Sequence, residues 1–203
     1  MNPIIFVHGI GGDRKQYKPI MDYLRKNNIN NFYEFNYVNK FGFCHIKDLA
    51  EELAEFIKDN VKEKAVNIIG FSQGGIIALA YLRFYKNAEV EKLFTVCTPH
   101  RGSKLAKIMS LPGFVDLRPG SDLLKELEKF TINCETEIYA LYTPLDIMVF
   151  PGWNARQKHG KNKIIFAPEH NVAFSWLTTK KFILKNLLKE NKYERIANFI
   201  RGL

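Results

Sequence analysis

Six short apolar runs with strand character alternate with stretches of helical period along this chain of 203 residues. The runs fall at residues 4–7, 32–38, 65–69, 93–97, 137–141 and 163–166. This alternation is the strongest constraint on the fold, because parallel strands need crossover connections and a helix is the usual one. Residues 46–61 carry the clearest helical pattern. Ile46, Leu49, Leu53, Ile57 and Val61 recur at spacings of three and four, with charged residues between them. Further helices are expected at about 73–84 and, singly or as a pair, over 179–200. No repeat, low-complexity tract or Pro/Gly/Ser-rich linker divides the chain. The expectation is one α/β domain over residues 1–203, with about six mainly parallel strands flanked by helices.

Residues 99–133 interrupt the pattern. They form a long excursion without a strand, too apolar for disorder, with Ser121 placed to cap a helix. Leu105, Ile108, Met109, Leu111, Phe114 and Val115 must be buried against something. They either thicken the core or wall an apolar pocket, and partial walling is the expectation. Pro112 and Pro119 stiffen the segment.

The apolar runs are far too short to span a bilayer. The chain opens directly into a strand pattern without the features of a secretory signal, so a cytoplasmic protein is expected unless a leader has been trimmed. Three cysteines, Cys44, Cys97 and Cys134, do not make a disulfide framework, and none has zinc spacing. The net charge of +9 is concentrated at the end of the chain. Residues 156–203 hold eleven Lys and Arg against three Asp and Glu. That basic quarter suits a weak contact with an anionic membrane surface, or simply a solvated helix face, the preferred reading. No nucleic-acid motif accompanies the charge, so no specific nucleic-acid partner is expected. Oligomeric state is left open.

The run at 65–69 leads into Gly70-Phe71-Ser72-Gln73-Gly74-Gly75 and then into a helix. This is G-x-S-x-G between a strand and a helix, a pattern that marks an exposed nucleophilic serine on a sharp turn. Side chains flanking such a turn would clash, hence glycine on both sides. The competing reading is a glycine-bearing turn with an incidental serine. The first strand ends in Val7-His8-Gly9-Ile10-Gly11-Gly12. In a parallel sheet this loop lies at the same edge as the nucleophile turn. The backbone N–H groups of Ile10 and Gln73 would then hold an oxyanion. The glycine spacing fits neither a dinucleotide fingerprint nor a phosphate loop. His8 is expected to hold the loop rather than to move protons.

Residues 3–12, the Gly70–Gly75 turn and Thr98-Pro99-His100-Arg101-Gly102-Ser103 together resemble the small bacterial lipases of the α/β-hydrolase superfamily, most closely the minimal, lidless Bacillus type. The resemblance implies an α/β-hydrolase fold without a separate lid domain. It also implies the chain order Ser, acid, His. Of the five histidines only His159 and His170 lie late enough for the base, and His170 stands where the family's base loop belongs. For the acid the resemblance implies Asp146, in the loop after the run at 137–141. Asp116 and Asp122 look like surface or capping residues. His100, Leu105, Met109 and Met148 are candidates for a substrate pocket, with His100 more simply a loop support.

The expected reaction is hydrolysis of lipid-like esters with short to medium acyl chains through an acyl-enzyme, with no cofactor and no metal. A thioesterase, acyltransferase or peptidase on the same triad remains open, as does a non-catalytic binding protein on this fold.

Overall fold

The computed structural model of the chain describes residues 1–37, 41–85 and 87–189. Six strands form one sheet: β1 (Ile4–Val7), β2 (Phe32–Phe35), β3 (Ala65–Phe71), β4 (Glu89–Val96), β5 (Glu137–Tyr142) and β6 (Lys161–Ile164). Their order is β2-β1-β3-β4-β5-β6, and all five neighbouring pairs are parallel. This is the α/β-hydrolase architecture, and among the described residues no separate lid domain stands off the sheet. Every strand therefore ends at the same edge, where Val7 lies opposite Gly70 and Phe71 opposite Val96.

Side chains of the inner strands alternate between two cores, as the twofold pleat demands. Ile5, Val7, Ile68 and Leu93 face a core closed by α2 (Ile46–Asn60) and α3 (Gln73–Phe84). Ile4, Phe6, Ile69 and Phe94 face the opposite core, closed by α1 (Lys18–Arg25), α6 (His170–Ser175) and α7 (Leu177–Leu187). α2 buries Ile46, Leu49, Leu53 and Ile57, as its period dictates, and ends at Asn60, so that Val61 is a half-buried cap. α3 is buried on nearly all sides, which fits a helix with little amphipathic contrast at the centre of a domain.

Several bounds differ from the sequence expectation. α1 went unforeseen, because its apolar face is short: Ile20, Met21 and Leu24. β2 stops at Phe35, and β4 starts four residues earlier than the apolar run, with Glu89 exposed and Lys92 buried. β6 is a solvent-facing edge strand whose residues are all exposed, so apolar content was a poor guide to its position. Of the helices expected over 179–200, α7 covers the first part and residues 190–203 lie outside the described residues.

The excursion after β4 holds α4 (Pro112–Asp116) and α5 (Asp122–Phe130), with 3-10 turns at Lys104–Lys107 and Thr131–Asn133. α4 packs on α2 and α5 on α3. Ser121 caps α5, its Oγ accepting from Leu124 N–H at 3.3 Å. Asp116 reaches back 70 residues to accept the Ile46 N–H at 2.7 Å, capping α2 where His45 offers no side-chain cap. No helix among the described residues is long and apolar enough to cross a membrane.

Candidate active site

Ser72 sits between the end of β3 and the first turn of α3, with φ 52° and ψ −122°. A non-glycine residue rarely adopts a positive φ, and here the surroundings enforce it. Its N–H donates to Val96 O at 2.8 Å, and its carbonyl accepts from Gly75 N–H at 3.1 Å. The flanking glycines are needed for space. A Cβ on Gly74 would stand 2.2 Å from Val7 O, and one on Gly70 would stand 2.6 Å from Gly75 Cα. The hydroxyl-bearing residue is thus held half-exposed at the N-terminal end of a 12-residue helix, whose free N–H groups and dipole favour negative charge.

The loop after β1 lies directly beside this turn, and a Cβ on Gly9 would come within 3.0 Å of Ser72 Cβ. The buried His8 stacks on Tyr37 at 4.0 Å, and its Nδ1 lies 2.8 Å from Gly9 O. The Tyr37 hydroxyl is 3.2 Å from His8 O and 3.1 Å from Gln73 Oε1. The Gln73 side chain is therefore tied inward while its backbone N–H opens the helix. Among the described residues neither the Gln73 N–H nor the Ile10 N–H is paired with an acceptor.

Asp146 and His170 meet in the interior. His170 Nδ1–H donates to Asp146 Oδ2 at 2.7 Å, and both side chains are buried. Asp146 Oδ1 accepts the N–H groups of Met148 at 2.9 Å and Val149 at 2.8 Å, so both carboxylate oxygens are engaged. The His170 ring lies 4.9 Å from the ring of Phe71, the residue before Ser72. Its Nε2 has no partner among the described residues, and no hydrogen bond joins it to Ser72 Oγ. Such a contact commonly tightens only when substrate is bound.

Cys97 joins this cluster, and no spacing in the sequence marked it. It follows β4 directly with φ 49°, fully buried, its N–H donating to Leu141 O at 2.8 Å. Cys97 Sγ, an Asp146 oxygen and a His170 nitrogen lie within 4.8 Å of one another, close enough in principle to share a metal ion. The donor chemistry does not fit that use. Burial pushes the Cys97 thiol well up, and the Asp146 charge and hydrogen bond push it further, so it stays a protonated donor. Asp146 already accepts three other donors.

Of the other candidates, Met148 joins this cluster through its backbone N–H on Asp146, and His100 is bonded elsewhere. His100 Nε2–H donates to Thr95 Oγ1 at 2.9 Å, and Thr95 in turn donates to Tyr139 O at 3.3 Å. Burial, with a smaller push from Arg101, lowers the His100 pKa to about 3. The cleft it lines is bounded by Ile76, Leu79, Leu124 and Leu127 and does not include Ser72, Asp146 or His170. Leu105, Met109 and Met148 are all exposed, as are Ile108 and Val115, so the burial expected of these excursion residues, Leu105, Ile108, Met109 and Val115, is not met.

Residues 3–143 of the chain match the palmitoyl protein thioesterase family. The chain belongs to that family. The match takes in Ser72, Ile10 and Gln73 and ends before Asp146 and His170. As a palmitoyl protein thioesterase family member it is 25% identical over 116 residues to palmitoyl-protein thioesterase 3 of Dictyostelium discoideum, covering 54% of this chain and 40% of that one. It is 29% identical over 86 residues to a probable alcohol acetyltransferase of Cyberlindnera fabianii, covering 39% of this chain. That aligned segment is 23% of the acetyltransferase, so this chain spans only a part of either relative.

Solved structures share the fold. The mature lipase BlEst2 of Bacillus licheniformis superposes with a TM-score of 0.73 at 18% identity, covering 93% of this chain and 92% of that one. The lin2722 gene product of Listeria innocua gives 0.76 at 14%, covering 95% and 96%. Lipase B of Aspergillus fumigatus gives 0.77 at 14%, covering 94% and 53%.

Proposed function

We propose that this chain is a serine hydrolase that cleaves acyl esters through an acyl-enzyme. The observation that carries the reading is the buried bond from His170 Nδ1–H to Asp146 Oδ2, which leaves Nε2 as the ring nitrogen able to take a proton. Ser72 Oγ attacks the acyl carbonyl and its proton passes to His170 Nε2. The N–H groups of Ile10 and Gln73 hold the oxyanion. Collapse of the intermediate expels the alcohol, which takes the proton from His170. Water, deprotonated by the same nitrogen, then attacks the acyl-Ser72 ester. The acid leaves and Ser72 regains its proton. Residues 1–203 act in this reading as one domain, with the 99–133 excursion beside the site.

Family membership favours a second reading in which the leaving group is a thiol. The same groups serve, since a thiolate leaves without needing a strong acid. Short to medium acyl chains belong to the ester reading, and a longer fatty chain to the thioester reading. The test has two arms. A fluorophosphonate probe should modify Ser72, identified by peptide mass spectrometry, and an unmodified Ser72 on folded protein would end the proposal. A series of p-nitrophenyl esters, set against acyl thioesters of matching chain length, then ranks the two readings by kcat/KM.

A further inference from the structure

Two loops beside the candidate site are fastened to each other and turn their apolar side chains outward. Ser103 Oγ donates to Met148 O at 2.7 Å and accepts from Phe150 N–H at 3.1 Å. Lys104 N–H donates to Phe150 O at 2.9 Å, and the Lys104 ammonium lies 5.9 Å from the centre of the Phe150 ring. From the excursion loop Leu105, Ile108 and Met109 face solvent, Ile108 with 76% of its surface exposed. From the Asp146 loop Leu145, Ile147, Met148 and Phe150 do the same, Ile147 with 67% exposed. Trp153, 57% exposed, follows on the same loop. Isolated exposed apolar residues need no explanation, but a run of them on two mutually fastened loops does.

The charge on this face is one-sided. Residues 101–110 and 144–158 contain one acidic residue, Asp146, and it is buried in its bond to His170. Lys104 and Lys107 are exposed within the apolar patch, and neither ammonium is ion-paired among the described residues. Apolar side chains, a Trp and unpaired lysines without exposed acids form the pattern that settles at the boundary between anionic headgroups and acyl chains. The match is to a lipid surface in particular, because a water-soluble anion would leave the apolar side chains unused.

We propose that these two fastened loops dock the protein on an anionic lipid surface. The proposal rests on the functional reading above. With Asp146 on one of the docked loops, the reacting groups would lie next to the bilayer, and an acyl chain could enter without crossing water. Apart from Arg156 and Lys158, this face is separate from the basic C-terminal quarter singled out by sequence charge, of which residues 190–203 lie outside the described residues.

The experiment is co-sedimentation with phosphatidylcholine vesicles, with and without about one quarter phosphatidylglycerol. The full chain should pellet with the anionic vesicles and much less with the neutral ones. Lys104→Glu with Lys107→Glu should weaken anionic binding by about tenfold or more. Ile108→Ser with Ile147→Ser should weaken it comparably, and turnover of a soluble short-chain ester should be retained in both pairs. Ser72→Ala should bind vesicles like the parent chain. That separates the two proposals: binding without turnover overturns only the hydrolase reading, and turnover without vesicle binding overturns only the docking one. Equal binding to both vesicle types would also overturn it. So would a dimer in sedimentation velocity that Ile108→Ser with Ile147→Ser dissolves, since a second copy would then be what covers the face.

Discussion

The Thr143 hydroxyl donates to the carbonyl of Ala167 at 2.7 Å, a buried bond between residues 24 apart. It ties the loop that carries Asp146 to the loop that carries His170. Both ends are covered, Thr143 with no exposed surface and Ala167 likewise. The relative position of acid and base is therefore set one layer below them. Thr143→Val keeps the shape and removes the donor, leaving a buried carbonyl unpaired, at a cost of about 1–3 kcal/mol. We expect a lower Tm, and a fall in kcat larger than any change in KM, measured on the same preparation.

The three proposed catalytic residues should differ in their effects. Ser72→Ala and His170→Ala should each lower turnover of a p-nitrophenyl ester by about 10⁴-fold or more while circular dichroism stays native. Asp146→Asn keeps an oxygen for the Met148 and Val149 N–H groups and should cost less, about 10²- to 10⁴-fold. Ser72→Ala protein that kept more than a small fraction of activity would rule out Ser72 as the nucleophile.

Stability should fall on mild acidification because of His100. In the fold its pKa is about 3, against 6.5 for the free side chain, so the unfolded chain binds the extra proton across that window. Stability contributed by the neutral ring is complete above about pH 6.5 and declines toward pH 3, by at most about 1.4 kcal/mol per pH unit. His100→Gln, which can still donate toward Thr95, should flatten this part of the profile. Urea unfolding at about pH 7 and pH 5 checks it, and parallel profiles for the two proteins would refute the assignment.

Two glycine substitutions separate space from backbone angle. Gly74→Ala would drive a methyl into Val7 O at 2.2 Å and His8 O at 2.5 Å, both backbone atoms, and should destabilise the chain by about 3 kcal/mol or more. Gly120→Ala meets nothing within 4 Å, but it asks alanine to hold a φ of +79°. Its cost should be about 1–2 kcal/mol. Equilibrium unfolding of the pair would show whether crowding outweighs strain by that margin.

The sequence by itself carried the sheet and the helices α2, α3, α5 and α7, but not α1. Apolar runs located the four inner strands closely, because strands buried on both faces must be apolar nearly throughout, and the edge strands β2 and β6 only approximately. β6 is exposed along its length, so nothing apolar marked its start. The G-x-S-x-G turn and the glycine loop after β1 were also legible, since both are local steric requirements written in adjacent residues. Asp146 and His170 could be nominated by chain order and resemblance, but no local rule says that they touch.

The tertiary structure decided the remainder. The meeting of Asp146 and His170, the Cys97 thiol on the same carboxylate, the Thr143–Ala167 tie and the Asp116 cap on α2 all join residues far apart in the chain. Sequence patterns report the period of one element and the sterics of one turn. They carry no signal for which two loop ends arrive together, because that follows from the order and register of strands whose partners lie elsewhere in the chain. The outward turn of Ile108 and Ile147 belongs to the same class. Read locally Ile108 is a residue to be buried, and only the packed fold leaves it facing solvent beside Ile147.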